Sequence, residues 1–289
     1  KPDWKLFHLL IDMCFHKLGN VNPLSSHIVI AISSHVLNKG SFVDLRNLFM
    51  NTYRFKTGTC IDTSLAASIA CFGYGNVGIV LHIQDYYTRI SNIPRYTKSL
   101  PIGSQTVSDH LMRLLSGKGV YLLSKKKEHR DIIEAIKYKM CYCAMDFEKE
   151  SQQDDFVKPV KTNVGNSMPE ITQALGKELF IAPEVLFQPS LMGFDCMGIV
   201  DFLQEGFSID TTQVLFLGEC FAIPRLVDRI KASYRQNQNI AWEVDTTGAS
   251  VWEGTKQYAL RCLGCKGHDG VNGWAMEFPI SSLRSRPAP

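Results

Sequence analysis

Gly73-Tyr-Gly-Asn-Val-Gly-Ile-Val-Leu-His-Ile-Gln-Asp-Tyr-Tyr-Thr88 is the stretch on which the reading of this chain turns. Glycines lead into the apolar run Val77–Ile83, which reads as a buried strand. A polar turn at Gln84-Asp85 follows, then a second β-rich run from Tyr86 to Ile90. In nucleotide-binding α/β proteins, such a hairpin can offer backbone N–H groups to phosphate and a carboxylate to metal. A phosphate-cradling turn calls for glycine, because the backbone must come close and φ must often be positive. Here the turn holds Gln, Asp, Tyr and Tyr instead, and a plain core hairpin is the competing reading.

Upstream, Asp3 to Leu18 has helical periodicity, with Trp4, Phe7, Ile11, Cys14 and Leu18 on one face and Gly19 as the stop. His27–Ile32 is a short continuous apolar run, as in a strand covered on both faces. Ser41 and Asp44 resemble a capping box for a helix carrying Leu45, Leu48 and Phe49. Thr59–Ile61 reads as a strand and Ser64–Cys71 as a closely packed helix. Strand, helix, strand, helix, strand is the order of a mostly parallel α/β sheet.

Downstream, an extended piece lies between Pro94 and Pro101. Ser104 or Thr106 caps a helix with Val107, Leu111, Leu114 and Leu115 inward. Lys125 to Met140 is a second helix, and Cys141–Phe147 reads as a strand. Residues 148–169 are polar and form a surface excursion. Leu179–Phe187 resumes the fold, Val214–Leu217 is a strand, and Pro224 opens a helix over Leu226, Val227 and Ile230. Ser250–Leu263 is the last helix, and the tail from Gly264 reads as loosely ordered.

The 289 residues are 45% apolar and 20% charged, an ordinary globular composition. A net charge of +3 gives no argument for nucleic acid or a membrane surface as partner. No apolar run approaches the ~20 residues of a bilayer span, and no signal peptide is visible. Lys1 rather than Met opens the chain, so the expectation is that its natural start lies upstream. Nine cysteines without a framework read as reduced thiols of the cytosol or nucleus. Cys262-Leu-Gly-Cys265-Lys-Gly-His268 has metal-like spacing but lacks a clear fourth ligand nearby, so free thiols are the expectation.

Two longer segments carry a resemblance. Leu175-Gly-Lys-Glu-Leu-Phe-Ile-Ala-Pro-Glu-Val-Leu-Phe-Gln-Pro-Ser-Leu-Met-Gly193 is similar to the segment of actin and actin-related proteins that ends Pro-Glu-x-Leu-Phe-x-Pro-Ser-x-x-Gly. Lys139-Met-Cys-Tyr-Cys-Ala-Met-Asp-Phe-Glu-Lys-Glu150 resembles their Lys-Leu-Cys-Tyr-Val-Ala-Leu-Asp-Phe-Glu. Asp3-Trp4, the helix over 105–115 and Ser250-Val-Trp252 fall into register as well.

The resemblance implies an α/β, actin-like (ribonuclease H-like) two-lobed ATPase fold with ATP or ADP and Mg between the lobes. The first lobe is expected to be incomplete, because the family's first phosphate hairpin has no counterpart here. Residues 1–93 are then the remainder of the first lobe and 94–249 the second. Residues 250–289 return to the first lobe and end in the tail.

Against the family's Asp-x-Gly-x-Gly-x-Thr hairpin, the matching positions are His82, Gln84, Tyr86 and Thr88. The acid is lost, both glycines are lost, and Tyr86 is expected to put a ring where phosphate would sit. Asp85 matches the family's internal Asp. Lys137 matches a lysine on the adenosine side, but its neighbouring Glu is Tyr138. The family's Gly-Gly turn aligns with Gly218-Glu219, and the region from Gly198 to Val214 is shorter than in actin. The resemblance leaves Asp85, Thr88, Lys137 and Gly218 as the remaining nucleotide-binding candidates, with no catalytic residue and no protein metal ligand.

Hydrolysis needs a positioned water, a metal and preorganised donors, and these are altered here. The expected function is a non-hydrolysing structural or interaction subunit of the actin-related type. It would sit in a cytoskeletal or nuclear chromatin-remodelling assembly, with actin or actin-related subunits as partners. The competing readings are a slowly hydrolysing, filament-forming ATP-binding protein and a truncated product without stable function.

Overall fold

The computed structural model describes residues 4–19, 21–33, 39–76, 78–93, 96–152, 158–159, 174–206, 213–233, 240–264 and 274–277. In chain order the elements are α1 (Trp4–Leu18), β1 (His27–Ile32), α2 (Lys39–Arg46), β2 (Thr57–Asp62), α3 (Thr63–Phe72), β3 (Gly78–Ile83), β4 (Thr88–Ile93) and β5 (Tyr96–Leu100). Then come α4 (Ser104–Ser116), α5 (Lys127–Lys139), α6 (Phe147–Ser151), β6 (Lys158–Pro159), β7 (Ala174–Leu175), α7 (Glu178–Glu184) and α8 (Ile199–Gly206). The last are β8 (Gln213–Leu217), α9 (Leu226–Ser233), β9 (Ala241–Asp245), α10 (Ala249–Gly264) and β10 (Trp274–Glu277). The protein is mixed α/β, and its contacts divide it into two compact units.

One unit comprises Lys1–Asn76, Pro94–Tyr96 and Ala249–Pro289. Its three-stranded sheet runs β1-β2-β10, all parallel, with Ile30 opposite Cys60 and Met276 beyond it. Alternation along β1 sends its residues to two cores. Ile28, Ile30 and Ile32 pack with Leu45, Leu48, Phe49 and the inner face of α1, Trp4, Phe7, Ile11 and Phe15. Val29 and Ala31 pack with Ile61, Ala66, Ile69 and Tyr258 under α3 and α10. α2 continues into a wider helical turn at Asn47–Thr52. That helix begins at Lys39, two residues before the expected Ser41 cap.

The other unit comprises Val77–Ile93 and Thr97–Gly248. Its sheet runs β5-β4-β3-β8-β9, with β3 antiparallel to β4 and parallel to β8, and β8 parallel to β9. Ile79, Leu81, Ile83, Ile90, Val214 and Phe216 face α4 and α5 through Val107, Leu111, Ile132 and Ile136. The expected boundary after residue 93 therefore differs from the observed grouping. β3 is hydrogen-bonded on both sides, to β4 and β8, so the hairpin is the middle of this unit's sheet.

Cys141–Phe147 is not a strand. Residues 141–144 make isolated tertiary backbone bonds instead, Tyr142 N–H to Leu179 O at 3.1 Å and Cys143 N–H to Pro224 O at 2.9 Å. Buried Cys141 and Cys143 flanking half-buried Tyr142 imitate strand alternation without a neighbouring strand. The second strand of the hairpin starts at Thr88 rather than Tyr86, because Gln84–Tyr87 are the turn. α8 and β9 are elements the sequence reading did not place. Of the polar excursion, α6 and β6 are described and most of the remainder lies outside the described residues. So does the tail after Gly264, except β10. Among the described residues no helix is long and apolar enough to cross a membrane.

Candidate functional site

The hairpin turn and the start of α4 build one wall of a cleft of about 230 Å³ in the larger sheet unit. Gln84 N–H donates to Tyr87 O at 2.9 Å and closes the turn. Its central residues, Asp85 and Tyr86, are not among the described non-glycine residues with positive φ, which are Arg54 and Arg225. The turn therefore forms without glycine. The first two amides of α4 are satisfied by this turn, Ser104 N–H to Gln84 O at 2.8 Å and Gln105 N–H to Asp85 O at 2.7 Å. Gly103 permits the contact, since a Cβ there would lie 2.3 Å from Gln84 O. Thr106 completes the cap by accepting from Gly103 N–H at 3.0 Å. These helix-end donors are held by protein carbonyls rather than presented to an anion.

Lys137 on α5 is 1% exposed. Its Nζ donates to Ser104 Oγ and Ser108 Oγ, both at 2.9 Å, and meets Glu134 Oε2 at 2.5 Å. Ser108 in turn donates to Glu134 Oε1 at 2.7 Å. The Lys137 ammonium also lies 4.6 Å from the centre of the Tyr138 ring, a cation–π distance. Tyr138 Oη is 3.2 Å from Ser104 Oγ, and burial pushes its phenol up while that hydrogen bond opposes the shift. Fully buried Cys220 is pushed up to about 12 by its burial, against the pull of the Lys137 charge and a Ser104 hydrogen bond.

Gly218 ends β8 with φ 121°, a conformation open in practice to glycine alone. A Cβ there would lie 2.3 Å from Ile83 O. Its N–H donates to Asp245 O at 2.9 Å. Glu219, the next residue, stands in the cleft wall.

Of the four candidates, Asp85 and Lys137 line the cleft, and Gly218 adjoins it through Glu219. Thr88 does not line it. It is buried at the start of β4, with its hydroxyl unpartnered. Tyr86, expected to put a ring where phosphate would sit, is 64% exposed on the turn and is not part of this cleft's wall. Ser108 and Glu134 escaped the sequence reading, and Ser104 was expected only as a helix cap. Serines four apart on one helix and Glu three before Lys on the next were the available signal.

The wall carries four carboxylates, Asp85, Asp131, Glu134 and Glu219, against Arg130 and Lys137. Arg130 donates to Ser124 O at 2.8 Å, and Lys137 already faces Glu134. The cleft wall thus carries more carboxylates than cations. Among the described residues no group of three or more His, Cys, Asp or Glu is placed to hold a metal. Cys265 and His268 of the metal-like motif lie outside the described residues.

No protein-family model matches the chain. It is similar to centractin of Schizosaccharomyces pombe, 34% identical over 128 residues, 42% of this chain and 33% of that protein. It is similar to actin-like protein 9 of Mus musculus, 34% identical over 118 residues, 40% of this chain and 26% of that protein. Over a longer span it is similar to actin-related protein 2 of Arabidopsis thaliana, 28% identical over 225 residues, 74% of this chain and 56% of that protein. The chain thus spans 26% to 56% of the length of these curated relatives.

Proposed function

This chain is a relative of actin and the actin-related proteins, and from that premise we propose that it is a non-hydrolysing structural subunit. Its two units are the counterparts of actin-type lobes, and its partners are proteins of a cytoskeletal or nuclear assembly. The observation that carries this reading is the closed circuit around Lys137. The buried cation matching the family's adenosine-side lysine is held by Glu134, Ser104 and Ser108. Glu219 beside Gly218 adds a carboxylate where the family has a second glycine. His82 at the family's acid position has its Nδ1 3.2 Å from Gln84 Nε2. A neutral or cationic side chain there does not organise the metal-bound water that hydrolysis needs.

The test is titration with ATP and magnesium followed by phosphate release. The expected result is neither saturable micromolar binding nor turnover above buffer. Magnesium-dependent turnover overturns the reading and favours the filament-forming ATPase.

A further inference from the structure

Residues 120–123 lie between α4 and α5 and belong to no sheet of the described residues. They alternate as a strand does. Val120 and Leu122 pack on the core of the larger sheet unit, whereas Tyr121 and Leu123 are 75% and 54% exposed. Val120 N–H donates to Leu115 O at 3.0 Å and Leu123 N–H to His129 Nδ1 at 2.9 Å, so both ends of the segment are pinned. Between them, the N–H groups of Tyr121 and Leu122 make no hydrogen bond among the described residues. The segment presents two apolar side chains and two open donors.

Three cations follow it. Lys125, Lys126 and Lys127 are exposed, and none makes an ion pair among the described residues. Lys118, before the segment, is already paired with Glu178 at 2.8 Å. Glu128 is the one acid between residues 118 and 130. The N-terminal end of α5 adds its own partial positive charge, and Lys126 at the cap position makes no side-chain cap bond. Carboxylates brought to this end therefore relieve α5 as well as the lysines.

These features together select the occupant. A bilayer would leave the Tyr121 and Leu122 N–H groups without acceptors. A single-stranded nucleic acid supplies acceptors but stacks on aromatic rings, and Leu123 offers no platform beside the single ring of Tyr121. A second copy docked on the same patch would face these lysines with its own. An acidic peptide supplies every complement: carbonyls for the open donors, an apolar side chain for Tyr121 and Leu123, and carboxylates for the lysines.

We infer that Tyr121, Leu123, Lys125, Lys126 and Lys127 form a docking site for an acidic peptide segment of another protein, one that carries apolar residues among its carboxylates. None of these five residues lines the Lys137 cleft. The surface gives the proposed subunit a partner of stated chemistry, and it operates whether or not the cleft takes a nucleotide.

The test uses the full chain and a short dye-labelled peptide that alternates glutamate with leucine and phenylalanine, read by fluorescence anisotropy. One control peptide replaces its glutamates by lysines, and another replaces its apolar residues by serines. The acidic apolar peptide binds saturably and more weakly as salt rises, and both controls bind less. A Tyr121→Ser/Leu123→Ser variant melts like the parent, because both side chains are exposed, and binds about thirty-fold more weakly, as loss of apolar anchors does. Lys125→Glu/Lys127→Glu binds about ten-fold more weakly and shifts the preference towards the lysine peptide. Equal affinity for the three peptides, or no binding of any, overturns the inference. So does tighter binding to oligouridine or to phosphatidylserine vesicles, or a sedimenting dimer that the Tyr121→Ser/Leu123→Ser variant dissolves. The readout involves no nucleotide, so it stands or falls separately from the phosphate-release assay.

Discussion

Replacing Lys137 with methionine separates a structural cation from a ligand-binding one. The change keeps most of the apolar stem and removes the charge with its contacts to Ser104, Ser108 and Glu134. Hydrogen bonds to a charged group contribute about 1.5–3 kcal/mol. Glu134 is 42% exposed and regains water when its partner goes, so it is not stranded. That places the loss below the roughly 3–5 kcal/mol of breaking a fully buried pair. Ser108 keeps Glu134 and Ser104 keeps Tyr138, so neither hydroxyl is orphaned. The net destabilisation is about 2 kcal/mol, or a fall of about 4–8 °C in melting temperature for a unit of this size. Scanning calorimetry on ligand-free protein reads this directly. The reasoning fails if the variant melts with the parent while ATP and magnesium stabilise the parent alone. In that outcome Lys137 waits for a ligand.

Gly218→Ala forces a Cβ to 2.3 Å from Ile83 O at φ 121° and is expected to lower stability by about 3 kcal/mol. Gly193→Ala, at φ 80° with nothing within 4 Å, loses only about 1 kcal/mol, and urea midpoints give the contrast. Arg229→Met strands the fully buried Glu184, to which both guanidinium nitrogens donate, and is expected to lose about 3–5 kcal/mol. Replacing both partners by methionine recovers much of that loss, and urea denaturation of the three variants reads the difference. Burial pushes the Cys60, Cys141 and Cys220 thiols up to about 12 from an ordinary 9.0. Native protein then retains these protons after the unfolded chain releases them. Their stabilisation is full below pH 9 and is lost as pH climbs towards about 12, which urea midpoints between neutral and alkaline pH report. At neutral pH a thiol reagent labels exposed Cys14 in the native protein before these three.

Elements with one strong period were legible in the sequence. α1, α3, α4, β1 and β3 lie within a residue or two of where apolar spacing and glycine stops put them. Cys141–Phe147 misled because buried and half-buried residues alternate there for tertiary reasons, with single bonds to Leu179 and Pro224. β9 escaped because it lies at the end of the sheet order and is largely exposed, so its apolar signal is thin. The hairpin went to the wrong unit because local pattern cannot reveal the parallel pairing of Val80 with Leu215 across the intervening chain.

The candidate site shows the same limit at the level of single residues. Lys137 was visible by its place beside the Cys-Tyr-x-Ala-x-Asp-Phe-Glu segment, but its neutralisation was not. Its serine partners lie 33 and 29 residues away on another helix. The resemblance made Tyr86 a steric plug, and that ring stands 64% exposed on the turn, apart from the Lys137 cleft. On the proposed reading, what opposes a phosphate in this cleft is charge, from Asp85, Asp131, Glu134 and Glu219. Steric and electrostatic exclusion respond differently to salt. A plug is indifferent to ionic strength, whereas repulsion between partly exposed charges weakens as the screening length shortens to about 3 Å at molar salt. Neutralising Glu219 as glutamine should therefore raise nucleotide affinity, whereas trimming Tyr86 to alanine should leave it where it was.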